Sequence, residues 1–251
     1  MKIINPYKQL EHRVYKRTFL QDVQVEFDFD LCKDAFADRQ RIQNFFLQYF
    51  HVTPGQDAPS SFSTIELCDA DKLIRFRFTE EKTVVTVSPQ AYESFVKTMI
   101  PFIDRQLAYM EKICSVSSAR KMIVRKRNVW EVRANDNVSI KDIYSSALRY
   151  TFNEHHVGDM FSIMLPNESS CKISKDADVD LGDGTLKVIL SAEIKDNQKA
   201  DFVLEFIAAA DNVPVMEVLE VATGLNEVVY CAFHDIVSKD VINLMEQDGE
   251  D

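Results

Sequence analysis

The stretch Pro214–Met245 sets the strongest constraint on how this chain can fold. Its apolar residues Val218, Ala222, Leu225, Val229, Ala232, Phe233, Ile236, Val237 and Leu244 recur at steps of three and four, gathering into one stripe. The spacing predicts a single long amphipathic helix of about 45 Å, at about 1.5 Å per residue. Such a stripe cannot be left in water, so the helix must lie across a sheet or other helices.

Upstream segments supply that surface as strands. In Phe19–Phe29, the residues Phe19, Val23, Val25, Phe27 and Phe29 alternate with Asp22, Gln24, Glu26 and Asp28, which predicts a strand with one buried and one acidic face. Phe36, Ile42, Phe45, Phe46, Tyr49 and Phe50 predict a helix over Asp34–Phe50. Three short strands follow at Phe62–Leu67, Leu73–Phe78 and Thr83–Val87. Ser88 and Pro89 then open a second long helix that reaches Cys114 and bends at Pro101.

The order then repeats. Lys121–Arg133 alternates as a basic strand, Ser139–Arg149 suits a short helix, and Asp159–Leu165, Cys171–Leu181, Thr185–Ile194 and Phe202–Ala208 read as strands before Pro214. Each long helix carries a proline in its first turn and a breaker about three turns in, Pro101 in one and Gly224 in the other. The expected fold is α+β: duplicated strand, helix, meander and long-helix units with pseudo-twofold symmetry, largely antiparallel sheets, and helices packed on one side. The expected divisions are an N-terminal arm (1–17), a first repeat (18–116), a second repeat (117–246) and an acidic tail (247–251). If the two opening strands lie side by side, Asp22, Glu26 and Asp28 can pair across them with Lys121, Arg125, Arg127 and Arg133.

Charge narrows the function classes. The net charge is −11, and the excess falls after Ser117, where 24 acidic residues face 14 basic ones. An acidic surface of this kind repels a polyanion, which excludes a general nucleic-acid binder and suits a basic protein partner. The five cysteines are scattered without a CxxC spacing, so neither a disulfide framework nor a zinc site is expected. Neither a signal peptide nor a membrane span is legible, and a cytoplasmic protein is expected.

Three local clusters carry side chains capable of chemistry. RKMIVRKRNVWEVR offers arginines with Trp130, but Trp130 shares its face with Met122, Val124 and Val132 and reads as a core anchor. SKDADVDLGDGT resembles a calcium loop, yet it has Leu181 where glycine is needed and Lys187 where a bidentate glutamate is needed. Its aspartates instead suit the wet face of a strand that ends in a glycine turn. Glu154, His155 and His156 are metal-ligand types, but neighbours diverge on any regular backbone, so a site needs His234 or His51 from elsewhere. No phosphate loop, nucleophile elbow or HExxH pattern is present, and no cofactor is implied.

FLQDVQVEFDF, LRYTFNE and FHDIVSKDVINLM together resemble a sporadically distributed, uncharacterised bacterial family with an N-terminal strand motif, a mid-chain Arg-Tyr element and a histidine on the last helix. The resemblance implies Arg149, Tyr150 and His234 as the positions to watch and suggests an accessory or defence-associated role. It brings no activity with it. The leading expectation is a non-enzymatic scaffold that binds a protein partner through its acidic second half or the cleft between its repeats. The alternative is a small-molecule sensor with its ligand in that cleft, and Arg149, Tyr150, Trp130 and His234 as ligand-binding candidates. A metal-dependent hydrolase using Glu154, His155, His156 and His234 comes third.

Overall fold

The alternation around Val23 becomes the middle of a sheet. The computed structural model describes residues 1–13, 15, 18–30, 39–47, 53–54, 64–69, 71–112, 114–133, 172–196 and 199–246. Its elements in the first half are β1 (Leu20–Asp28), α1 (Arg39–Leu47), β2 (Thr53–Pro54), β3 (Ile65–Cys68), β4 (Ile74–Phe78), β5 (Lys82–Val87) and α2 (Ile100–Lys112). The second half adds β6 (Ser118–Arg133), β7 (Lys172–Asp180), β8 (Gly184–Asp196), β9 (Lys199–Pro214), α3 (Val218–Ile236) and α4 (Lys239–Glu246). Among the described residues, nine strands form one antiparallel sheet in the order β2-β3-β4-β5-β1-β6-β9-β8-β7. The β1–β6 pair is central. Outward from it, each side runs the same way: opening strand, last strand of the meander, then the meander in reverse.

Register makes one face of this sheet the core. Leu67, Phe76, Val85, Val25, Val124, Ala208 and Leu186 are successive partners across seven strands, and all are fully buried. Helices cover that face. Phe46 of α1 and Tyr109 of α2 pack on Phe78, and Phe102 packs edge-on against Phe76. α3 crosses β9 and β6, burying Val218, Val221, Ala222, Leu225, Val228, Val229, Ala232 and Phe233. The other face carries charge: Lys82 Nζ lies 2.5 Å from Glu26 and 3.2 Å from Asp28, and Arg125 pairs with Glu205. The opening strands do lie side by side, with Asp22 opposite Arg127 and Asp28 opposite Lys121.

Both long helices come out shorter than the apolar spacing predicts. The final one is interrupted where Val237 turns extended, and Ser238 accepts a 3.4 Å bond from the Val241 amide as the chain restarts in α4. That break keeps Val237, Val241 and Met245 buried, which a straight continuation with a drifting stripe would not ensure. The second long helix is three pieces: a 3₁₀ turn at Pro89–Ala91, a π-helical turn at Phe95–Met99, and α2. Ser88 makes no side-chain cap; Ser94 does, accepting from the Lys97 amide at 3.1 Å. Pro101 sits in the first turn of α2, directly after the π-helical turn, and the helix continues through it to Lys112.

Gly224 is likewise no breaker, since α3 runs straight through it. A Cβ there would come within 3.3 Å of Ile3, so the missing side chain admits the N-terminal arm. The arm is pinned to the turn between β7 and β8 and along the start and middle of α3. Ile4 donates to the Leu181 carbonyl at 2.9 Å, the amino group of Met1 pairs with Glu217, and His12 pairs with Glu227 while stacking on Tyr230 at 4.1 Å. The aspartates of β7 occupy its wet face, Asp176 pairing with Lys187 at 2.6 Å, and Gly182 turns the chain at φ +80°. Among the described residues no helix is long and apolar enough to cross a membrane. The expected helix at Ser139–Arg149 and strand at Asp159–Leu165 lie outside the described residues.

Candidate functional site

One row of the inner face breaks the apolar rule. Alternation on β6 sends Met122, Val124, Lys126, Asn128 and Trp130 to the same side, and three of the five suit a core wall. Lys126 stands between Val23 of β1 and Phe206 of β9, in a row where Val87, Val23, Phe206 and Val188 are fully buried. An ammonium in such a row costs free energy unless something compensates it.

The surroundings of Lys126 are a cavity of about 220 Å³. Lys126, Asn128, Phe206 and Leu20 form its floor, and Asn226, Val229, Tyr230 and Phe233 of α3 form its roof. The broken helix start supplies a wall: the extended stretch between the 3₁₀ and π turns places Tyr92, Glu93, Ser94 and Phe95 along it. Arm residues His12, Arg13, Tyr15 and Thr18 close the remaining side. Leu20 reaches the floor because a bulge between Leu20 and Asp22 sets it opposite Asn128.

Charges at the rim are matched in pairs. Arg13 Nη1 lies 2.7 Å from Glu246, His12 pairs with Glu227, and Glu93 pairs with Lys97. Lys126 differs. Its Nζ is 5.7 Å from the Tyr92 ring centroid and 5.9 Å from that of Phe95, and it makes no ion pair or hydrogen bond among the described residues. Two aromatic faces stabilise a cation but do not neutralise it. Burial pushes the Lys126 amine down to about 8, with Glu227 opposing the shift from a distance. The side chain of Asn226 is 4% exposed, and its Oδ1 has no partner among the described residues. Asn128 is better served, donating to the Leu204 carbonyl at 3.4 Å.

The residues expected from sequence fall in different places. Trp130 is buried beside the cavity, tilted against Phe19 at 5.2 Å and parallel to Phe233 at 6.4 Å, and only Phe233 of these three lines the space. His234 is one step removed: its Nε2 is 2.8 Å from the hydroxyl of Tyr15, which does line it. Burial, with Arg13 and His12 nearby, pushes the imidazole down to about 4 and keeps it neutral. Arg149, Tyr150, Glu154, His155 and His156 lie outside the described residues.

Lys126, Asn128 and Asn226 escape a search for chemical motifs because they form none. Their signal is phase: Lys126 and Asn128 sit at the apolar positions of an alternating strand, and Asn226 sits on the apolar stripe of α3. No protein-family model matches the chain, and no curated protein is significantly similar to it.

Proposed function

We propose that this chain is a small-molecule-binding protein whose ligand sits beneath α3, and that its halves are duplicated α+β units meeting at that point. The observation behind this reading is a cavity lined from both halves of the chain, by residues 12–95 and by residues 126–245. Its composition is that of a ligand site: aromatic and aliphatic walls with a few polar groups converging on them. At about 220 Å³ it suits one ring or a short chain, since apolar cavities of about 150 Å³ hold benzene. The resemblance to an uncharacterised bacterial family contributes no ligand. A second reading, a scaffold for a protein partner, draws on Met216, which is 97% exposed in the 3₁₀ turn Val215–Glu217 that leads into α3. That reading needs nothing from the cavity.

Ligand-observed NMR with single-ring fragments tests the first reading. Fragments should bind the wild-type chain and lose at least about tenfold in affinity to Val229→Phe, which fills the roof. The thermal midpoint of that variant should move little, because the added ring enters empty space rather than the filled core where overpacking costs about 1–3 kcal/mol. Absence of binding by every fragment, or a large loss of stability in Val229→Phe, contradicts it.

A further inference from the structure

We propose that the cavity selects small carboxylates, whose anionic end is held by the Lys126 ammonium while the apolar body lies against Tyr92, Phe95, Val229 and Phe233. The inference rests on the ligand-binding reading above and adds the chemical class of the ligand. Three features of the cavity carry it.

The first is charge. Arg13, His12 and Glu93 each have a counter-charge within the protein, and Lys126 has none among the described residues. One cation that faces the cavity without an ion pair among the described residues matches one monoanion. A phosphate dianion would need several donors converging on its oxygens, and the floor presents a single ammonium. The second is placement. Lys126 occupies a position that its strand otherwise gives to buried apolar side chains, so its ammonium lies at the floor of the cavity. The residue is half-buried, its stem in the apolar row and its ammonium beside the Tyr92 and Phe95 rings. The third is a further polar group of the lining, Asn226 Oδ1, which is buried and has no partner among the described residues. It offers an acceptor to a hydroxyl or amino group on the ligand's body, so hydroxy and amino derivatives fall within the proposed class. The low-dielectric surroundings of the amine strengthen any anion contact there and also account for its depressed proton affinity.

The test compares a panel of small carboxylates, benzoate, phenylacetate, 3-phenylpropionate and hexanoate, with their primary amides. Calorimetry at pH 6.5 is run on the full chain and on Lys126→Met and Lys126→Arg, with thermal melts verifying that each variant folds. Wild type should bind at least one carboxylate ten times more tightly than its amide. Lys126→Met should lose that preference while still binding the amide, and Lys126→Arg should keep part of it. Equal affinity for acid and amide in wild type, or an undiminished preference in Lys126→Met, overturns the carboxylate proposal and leaves the ligand-binding reading standing. Absence of binding by every acid and every amide overturns both.

Discussion

His234 and Lys126 are both titratable side chains displaced from their usual range by burial, and they act at different distances from the cavity. Lys126 faces the space directly, whereas His234 holds Tyr15, which faces it. The His234 imidazole has its proton affinity lowered from 6.5 to about 4 in the folded chain, so the unfolded chain binds the extra proton first as pH falls. The stability tied to its neutral form is fully present above about pH 6.5 and is lost as pH drops towards about 4. Thermal melts across that window should therefore fall more steeply for wild type than for His234→Gln, which keeps a hydrogen-bonding group for Tyr15 without the titration. Parallel curves would contradict the assignment. His234 is legible in the sequence as a candidate but not in its role, because its partner Tyr15 comes from an arm that carries no periodicity. Lys126 is legible as an in-phase lysine, yet a lone basic run draws attention to Arg125 and Arg127, whose side chains face the opposite side of the sheet.

The helices are where local pattern and tertiary contact part company. Alternation in strands survives folding well: β1, β4, β5 and β8 begin and end within two residues of the predicted limits. Helical spacing alone says nothing about where a stripe must turn to stay on the sheet, so the breaks at Tyr92–Ser94 and Val237–Ser238 are invisible until the sheet is in place. The first of these breaks builds a cavity wall. Gly224 teaches the same point from the other side. Its cost within a helix, about 1 kcal/mol relative to alanine, suggests a breaker from sequence alone. In the fold it leaves room for Ile3, whose side chain also reaches Gly184. Gly224→Leu should therefore favour the helix locally while dislodging the arm. Hydrogen exchange at the Ile4 amide, which bonds to Leu181, should accelerate at least about tenfold, with the central amides of β6 and β9 unchanged. An Ile4 amide as protected as in wild type would count against this role for Gly224.

At the scale of the molecule, the described residues form one antiparallel sheet with their helices gathered on the buried face, and the arm lies along α3. The α+β class and the adjacency of the two opening strands follow from the sequence because alternation and opposite charge act locally and across one seam. The register within that seam does not follow: Asp22 meets Arg127 and Asp28 meets Lys121, while the ion pair of Asp28 is made to Lys82 on the other side. The cavity is also out of reach of sequence reading, since it needs the sheet, a broken helix start, α3 and the arm to be assembled together. Its position under α3 brings residues of both halves of the chain to one cavity, and the Lys126 ammonium, without an ion pair among the described residues, is the basis of the proposed preference for carboxylates. A crystal structure of the chain grown with phenylacetate tests this most directly. The account predicts the ligand beneath α3, its ring against Tyr92 and Phe95 and its carboxylate within about 3 Å of Lys126 Nζ, the ordinary reach of a charge-assisted hydrogen bond; phenylacetate bound only elsewhere on the surface, with the cavity filled by ordered water, would contradict it.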